Sequence, residues 1–161
     1  MQNLYGRFYK TKTMNTDKYF VRRLPIPASL PEVWDAVINP IQIKKYQFHA
    51  NTLSTWKVGS PILWHGVYNG YEFREKGIVL GFNEQRQLKY SFLELDRGLA
   101  DATENYLHIT YDLFEKEDHV ELVITVENFN DDLERIVKQA ELWDNKIIPA
   151  IKKLFQTKKI A

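Results

Sequence analysis

The sequence predicts an α+β fold in which a curled antiparallel sheet of about six to seven strands wraps around one long C-terminal helix, with two short helices after the first strand. Asn130 to Thr157 is the only long stretch with apolar residues at every third or fourth position. Between Leu53 and Asn128 the chain breaks instead into short segments rich in β-branched and aromatic residues, parted by Gly, Pro, Asn and Asp. None of the links between those segments is long enough for a parallel crossover, so neighbouring strands should run antiparallel. A lone amphipathic helix and a one-sided sheet each lack cover, and each supplies what the other needs.

Residues 1–17 mix Tyr5, Phe8 and Tyr9 with Arg7, Lys10 and Lys12 and sustain no period, which reads as a poorly ordered leader ahead of a single domain over 18–161. Lys18 to Ile26 reads as a first strand ended by Pro25-Ile26-Pro27. Ser29, followed by Pro31 and Glu32, is a helix-start signature, and Val33, Trp34, Val37 and Ile38 give that helix an apolar face. Asn39-Pro40 interrupts it, and a second short helix restarts over Ile41 to Tyr46. Strands are expected at Leu53–Lys57, Ile62–Tyr68, Tyr71–Phe82, Gln87–Leu95, Glu104–Phe114 and His119–Asn128. Alternation is clearest in Val120, Leu122, Ile124, Val126 and in Leu88, Tyr90, Phe92, which implies one dry face and one wet face. Glu115 to Asp118 is short and charged, so the last two strands should form a hairpin.

In the long helix the stripe is Leu133, Ile136, Val137, Ala140, Trp143, Ile147, Ile148, Ile151, Leu154 and Phe155. Glu134, Arg135, Lys138, Gln139 and Glu141 belong to the expected wet face. Asn130 and Asp131 are the expected N-cap residues, with Asp131 to Glu134 as a capping box. About 26 residues at ~1.5 Å each span roughly 39 Å, enough to cross a small domain. Pro149 removes the bond from its nitrogen to the Asn145 carbonyl, so a kink is expected there.

Composition narrows the function classes. The 161 residues carry a net charge of +1 with acids and bases interleaved, so no basic footprint argues for nucleic acid or an anionic membrane. With no cysteine there is no disulfide framework, thiol nucleophile or thiolate metal site. No run of eighteen apolar residues suggests a membrane span, and the N-terminus lacks the apolar core of a secretory signal. The expected location is cytoplasmic.

Particular residues carry a resemblance to a known superfamily. They are Val33-Trp34-Asp35-Ala36 with Asn39-Pro40 and Tyr46, Trp56-Lys57-Val58-Gly59, Gly77-Ile78-Val79-Leu80, Arg86 to Phe92, and Trp143. Over roughly residues 18 to 157 the chain resembles the START-like or SRPBCC superfamily, the helix-grip fold. Within it the chain is most similar to the homologues of the activator of the heat-shock-protein-ninety ATPase. The resemblance implies a cavity between curled sheet and long helix, used by different members for lipids, polyketides, hormones or other apolar ligands, and it suggests a chaperone partner by name. Fold alone does not assign the ligand.

The residues bear on this implication unequally. His49, His65, His108 and His119 show no metal-ligand spacing, and His108 should face outward by strand parity. Both parities of the strand holding His65 carry apolar residues; His65 faces solvent if Ile62 and Trp64 face in, as the resemblance implies, while a one-residue bulge would reverse this. Glu94, Asp112, Glu121 and Glu127 are expected on the wet side, and Tyr68, Tyr90 and Tyr111 are the phenols expected near the interior. Phe48, Trp56, Trp64, Tyr90, Phe92, Trp143 and Ile147 are the expected cavity lining, since rigid rings leave gaps that small aliphatics would close. No metal or other cofactor is expected. The favoured function is a module binding an apolar, lipid-like or aromatic small molecule. One alternative is a cyclase or hydratase using an inward pair such as Tyr90 with His65 or Glu94; another is a co-chaperone-like protein stimulating a heat-shock ATPase.

Overall fold

Residues 18–160 are described by the computed structural model, and their elements follow the hydrophobic patterning closely. The expected leader, residues 1–17, lies outside the described residues. Strand β1 (Tyr19–Ile26) leads into helix α1 (Leu30–Ile38). At Ser29 the expected capping box is complete: its hydroxyl accepts the Glu32 N–H at 3.3 Å, and the Glu32 carboxylate accepts the Ser29 N–H at 3.0 Å. Asn39 ends α1 and caps α2 (Pro40–Tyr46), its side-chain oxygen accepting the Ile41 N–H at 2.9 Å. The Tyr46 hydroxyl then donates to the Ala36 carbonyl at 2.9 Å and ties the helical pair together.

Six more strands follow: β2 (Asn51–Leu53), β3 (Pro61–Tyr68), β4 (Tyr71–Asn83), β5 (Gln87–Glu94), β6 (Leu107–Glu115) and β7 (Val120–Glu127). They form a seven-stranded sheet in the order β1-β7-β6-β5-β4-β3-β2, every pair antiparallel. Two strand expectations are corrected. Leu53–Lys57 is strand only at its first residue, because the Ser54 hydroxyl accepts the Trp56 N–H at 3.0 Å and the local turn displaces ladder pairing. Trp56 accordingly sits in a loop at φ +62°. Glu104–Phe114 begins instead at Leu107, after a 3₁₀ turn over Thr103–Asn105.

The sheet curls where β4 and β5 cross closely. A Cβ on Gly77 would lie 1.7 Å from the Ser91 carbonyl oxygen, so only glycine permits this approach, and the register slips between Val79 and Gly81. Here the Ser91 hydroxyl accepts the Ile78 N–H at 3.0 Å in place of a regular ladder bond.

Into the concave side fits the C-terminal helix, divided into α3 (Leu133–Leu142), a π turn (Trp143–Ile147) and α4 (Ile148–Ile160). Its N-cap is Asp132 rather than Asn130 or Asp131: the Asp132 side chain accepts the Arg135 N–H, while the Asn130 side chain accepts the Asp132 N–H and fixes the approach. The chain meets Pro149 with a widened turn one residue upstream, in which the Ile148 N–H reaches the Trp143 carbonyl. Inward positions Trp143, Ile147, Ile151 and Phe155 lie four residues apart. The wider turn offsets the drift that such spacing would produce in a 3.6-residue helix. Arg22 of β1 clamps this turn from outside, its Nε and Nη2 donating to the two Asp144 carboxylate oxygens at 2.7 and 3.0 Å. Among the described residues no helix is long and apolar enough to cross a membrane.

Candidate functional site

The long helix does not bury its whole apolar stripe. In α3 the buried residues are Arg135, Ile136 and Gln139, while Leu133 and Val137 are 40% and 55% exposed. Arg135 and Gln139, expected on the wet face, are thus corrected to the interior. The cause lies beneath them, on β5. Leu88, Tyr90 and Phe92 point inward, and Glu94 continues their parity. Glu94 is therefore buried rather than on the wet side as expected, and α3 turns its polar residues down to meet it. Arg135 Nη2 donates to Glu94 Oε1 at 2.5 Å, and Gln139 Nε2 donates to Oε2 at 3.3 Å. Arg135 Nη1 donates to the Asn105 carbonyl at 2.6 Å, which anchors the loop before β6. From the rim, Arg97 Nη1 reaches Glu94 Oε2 at 3.4 Å.

Directly across the ladder from Glu94 stands Glu75 of β4. Facing carboxyls on one side of an antiparallel pair lie within a few ångströms of each other. Glu75 is half-buried, and burial first, then the negative charges of Glu94 and Asp96, push its carboxyl up to about 8. It is the neutral member of an acid pair whose other member is held by arginine. Asp96 takes the backbone N–H of Arg74 at 2.9 Å, which fixes the loop at this rim.

Beside these polar groups a cavity of about 190 Å³ opens between β4, β5 and the helix. Its polar end is Glu75, Glu94 and Gln139, with Arg74, Asp96 and Arg97 around the mouth. Its apolar walls include Phe73, Leu142 and, from the residues expected to line a cavity, Phe48, Tyr90, Phe92, Trp143 and Ile147. The other two residues of that set lie elsewhere. Trp64 is fully buried behind the wall, its ring 5.1 Å from that of Tyr90 and 5.3 Å from that of Phe92. Trp56 packs outside it and donates its indole N–H to the Ile38 carbonyl at 3.0 Å. Phe48 holds an edge-on contact with Tyr68 at 4.9 Å.

Tyr90 also starts a chain of buried phenols. Its ring centroid lies 6.2 Å from that of Tyr111, and Tyr111 and Tyr46 lie together in the core beyond it. Burial pushes the Tyr111 hydroxyl up to about 12 and raises the other two well above the ordinary phenol range, so all three stay protonated. The histidines stand apart from this centre. His65 is exposed, His108 packs its ring 4.4 Å from Phe129, and His119 pairs with Asp118 at 2.7 Å.

Sequence reasoning missed Glu75, Arg135 and Gln139 as interior groups. Strand parity was the available signal, since Glu75 shares its face with the buried Val79 and Glu94 shares its face with Tyr90.

Comparison with solved structures gives the same architecture. The solution structure of ChR145 from Cytophaga hutchinsonii superposes with a TM-score of 0.74 at 34% identity, covering 89% of this chain and 97% of that one. DynU16, from the dynemicin biosynthetic locus, superposes at 0.70 with 14% identity, over 87% of this chain and 48% of its own. CalU16 from Micromonospora echinospora does so at 0.57 with 16% identity, over 83% and 75%. The last two show the fold alone. No curated protein matches the sequence. The helix-grip architecture, the relative from Cytophaga and a family match over residues 27–156 agree, and the chain belongs to the Activator of Hsp90 ATPase homolog 1-like family.

Proposed function

We propose that this protein is a binding module that holds an apolar or aromatic small molecule between its sheet and C-terminal helix. The observation that carries the reading is the cavity of about 190 Å³, walled by aromatic rings and closed at one side by a buried polar cluster. Such a lining of mostly apolar surface with a few convergent polar groups is the usual character of a ligand site. A cavity of about 150 Å³ accommodates benzene, so this one suits a single ring with a short substituent. Larger lipids would require the mouth to widen. The test is ligand-observed NMR with single-ring compounds against the protein and against Leu142→Trp, which fills the cavity from α3. Binding that disappears in the variant supports the reading; no binding to either, or equal binding to both, overturns it.

The enzyme alternative draws on Glu75, whose carboxyl is raised to about 8 beside the arginine-paired Glu94, because an acid poised near neutral pH suits proton transfer. Its pairing of Tyr90 with His65 is set aside, since His65 is exposed on the other face of the sheet. A chaperone partner has the support of the family name, and a pull-down with the chaperone ATPase at low salt tests it. No cofactor is assigned.

A further inference from the structure

We propose that the ligand is an aromatic amine in its protonated form, with the ammonium seated against Glu75, Glu94 and the amide oxygen of Gln139 and the ring lying among Tyr90, Phe92 and Trp143. This deepens the cavity reading and rests on it.

The hydrogen-bond inventory points to a ligand that donates. Gln139 is 6% exposed and lines the cavity; its amide nitrogen is taken by Glu94, and its amide oxygen has no partner among the described residues. Glu75 likewise lines the cavity with no hydrogen-bond partner among the described residues. The deep arginine donors near this end are engaged or closed off: Arg135 does not line the cavity, and its Nε, which has no partner, is fully buried. Both terminal nitrogens of Arg135 are occupied, by Glu94 and by the Asn105 carbonyl. Arg97 is half-exposed and bonded to Glu94, and Arg74 is exposed at the rim. Among the arginines, the free donors that line the cavity belong to Arg74 and Arg97 at the mouth; deeper in, a ligand carboxylate would meet Glu75 and the Gln139 amide oxygen. An ammonium would find several acceptors.

Electrostatics and ring geometry agree. Beyond burial, the carboxylates of Glu94 and Asp96 raise the Glu75 carboxyl, so acidic groups converge where the cation would sit. The faces of Trp, Tyr and Phe are themselves attractive to a desolvated cation. The groups facing Glu75 are Glu94 and Tyr90 from β5, Asp96 and Arg97 from the following loop, Arg74 from β4, and Arg135 and Gln139 from α3. An arriving ammonium offsets the repulsion between the two glutamates and lets Glu75 ionise, so binding should release a proton below pH 8.

The experiment measures dissociation constants by calorimetry for 2-phenylethylamine, 2-phenylethanol and 3-phenylpropanoate, between pH 6.5 and 8.5, on the intact protein and on Glu75→Gln. An alkyl ammonium stays charged throughout this range. The expected result is that the amine binds roughly tenfold tighter than the alcohol at pH 8.5. Its advantage should shrink toward pH 6.5, and Glu75→Gln should abolish both the advantage and its pH dependence. An alcohol or carboxylate that binds as tightly as the amine overturns the amine assignment and leaves the cavity reading standing. An amine preference unchanged in Glu75→Gln also overturns it. If none of the three binds, the cavity reading falls too.

Discussion

The C-terminal helix obeys two different rules on either side of its π turn. In α4 the apolar positions Ile148, Ile151 and Phe155 are all buried, as an amphipathic pattern requires. In α3 the buried set is led by Arg135 and Gln139, and two apolar residues of the same pattern, Leu133 and Val137, face outward. The same sheet lies beneath both halves, so the difference comes from what the sheet presents. Under α4 it presents Leu122 and Tyr111 beside the helical pair, and space there is nearly filled, with a residual void of about 10 Å³. Under α3 it presents Glu94. A half that breaks its own pattern at the expense of burying charge marks the place where something other than packing set the choice of residues.

The largest expected effect comes from breaking the polar half. Arg135→Ala leaves Glu94 buried without its main cation and should destabilise by about 3–5 kcal/mol. Urea denaturation checks it, and the double variant Glu94→Leu with Arg135→Leu should recover most of the loss, since replacing a whole buried pair by apolar residues is often neutral. A double variant as unstable as the single one would show that the pair acts chiefly by anchoring Asn105. The matching change in the apolar half, Ile151→Ala, removes a fully packed side chain and should cost about 2–5 kcal/mol. The two halves would then be equally needed for stability although only one is made of hydrophobic contacts.

This contrast also shows what was legible beforehand. Strand order, helix order and the Ser29 cap follow from patterns whose physical cause is local: period, capping oxygen, proline position. The aromatic wall was legible as well, because Tyr90 and Phe92 lie on an unambiguous alternation and Trp143 and Ile147 stand four apart on a helix. Trp56 was misplaced because a serine hydroxyl two residues earlier captures its N–H, a competition that alternation does not register. The polar cluster failed for a different reason. Each of its members looks like a surface residue when judged singly, and its burial makes sense only once Glu94, Arg135 and Gln139 are seen to satisfy one another across 41 and 45 residues of chain. Nor does a single strand disclose that Glu75 would face Glu94, which is a property of the register between β4 and β5.

Glu75 sharpens the comparison through pH. Its carboxyl is raised from 4.5 to about 8, so between those values the folded state holds a proton that the unfolded chain has released. Stability from this group is therefore present at low pH, falls as pH rises from about 4.5 to 8, and levels off above. Glu75→Gln keeps the shape and removes the titration. It should be close to the parent in stability at pH 5 and more stable by about 2 kcal/mol at pH 8, allowing for partial solvent access to the site. Denaturation curves at the two pH values check this, and an unchanged difference between them would mean that Glu75 is not held neutral by burial and the neighbouring acids.

The smallest effect should come from the residue that looks most like core. Val137 belongs to the apolar stripe by spacing, yet it is 55% exposed because α3 is rotated to bring Arg135 and Gln139 down. Val137→Ala removes little buried surface and replaces a β-branched residue by a better helix former, so the two contributions oppose each other. The net change should lie within about 0.5 kcal/mol of zero, as for surface substitutions generally. A loss above about 2 kcal/mol, the range of a buried aliphatic, would mean that α3 is turned the other way in solution, with Glu94 and Arg135 apart. Because rotation of α3 decides at once whether Val137 is wet and whether the glutamates meet, this unremarkable valine reports on the polar end of the cavity as directly as Arg135 does.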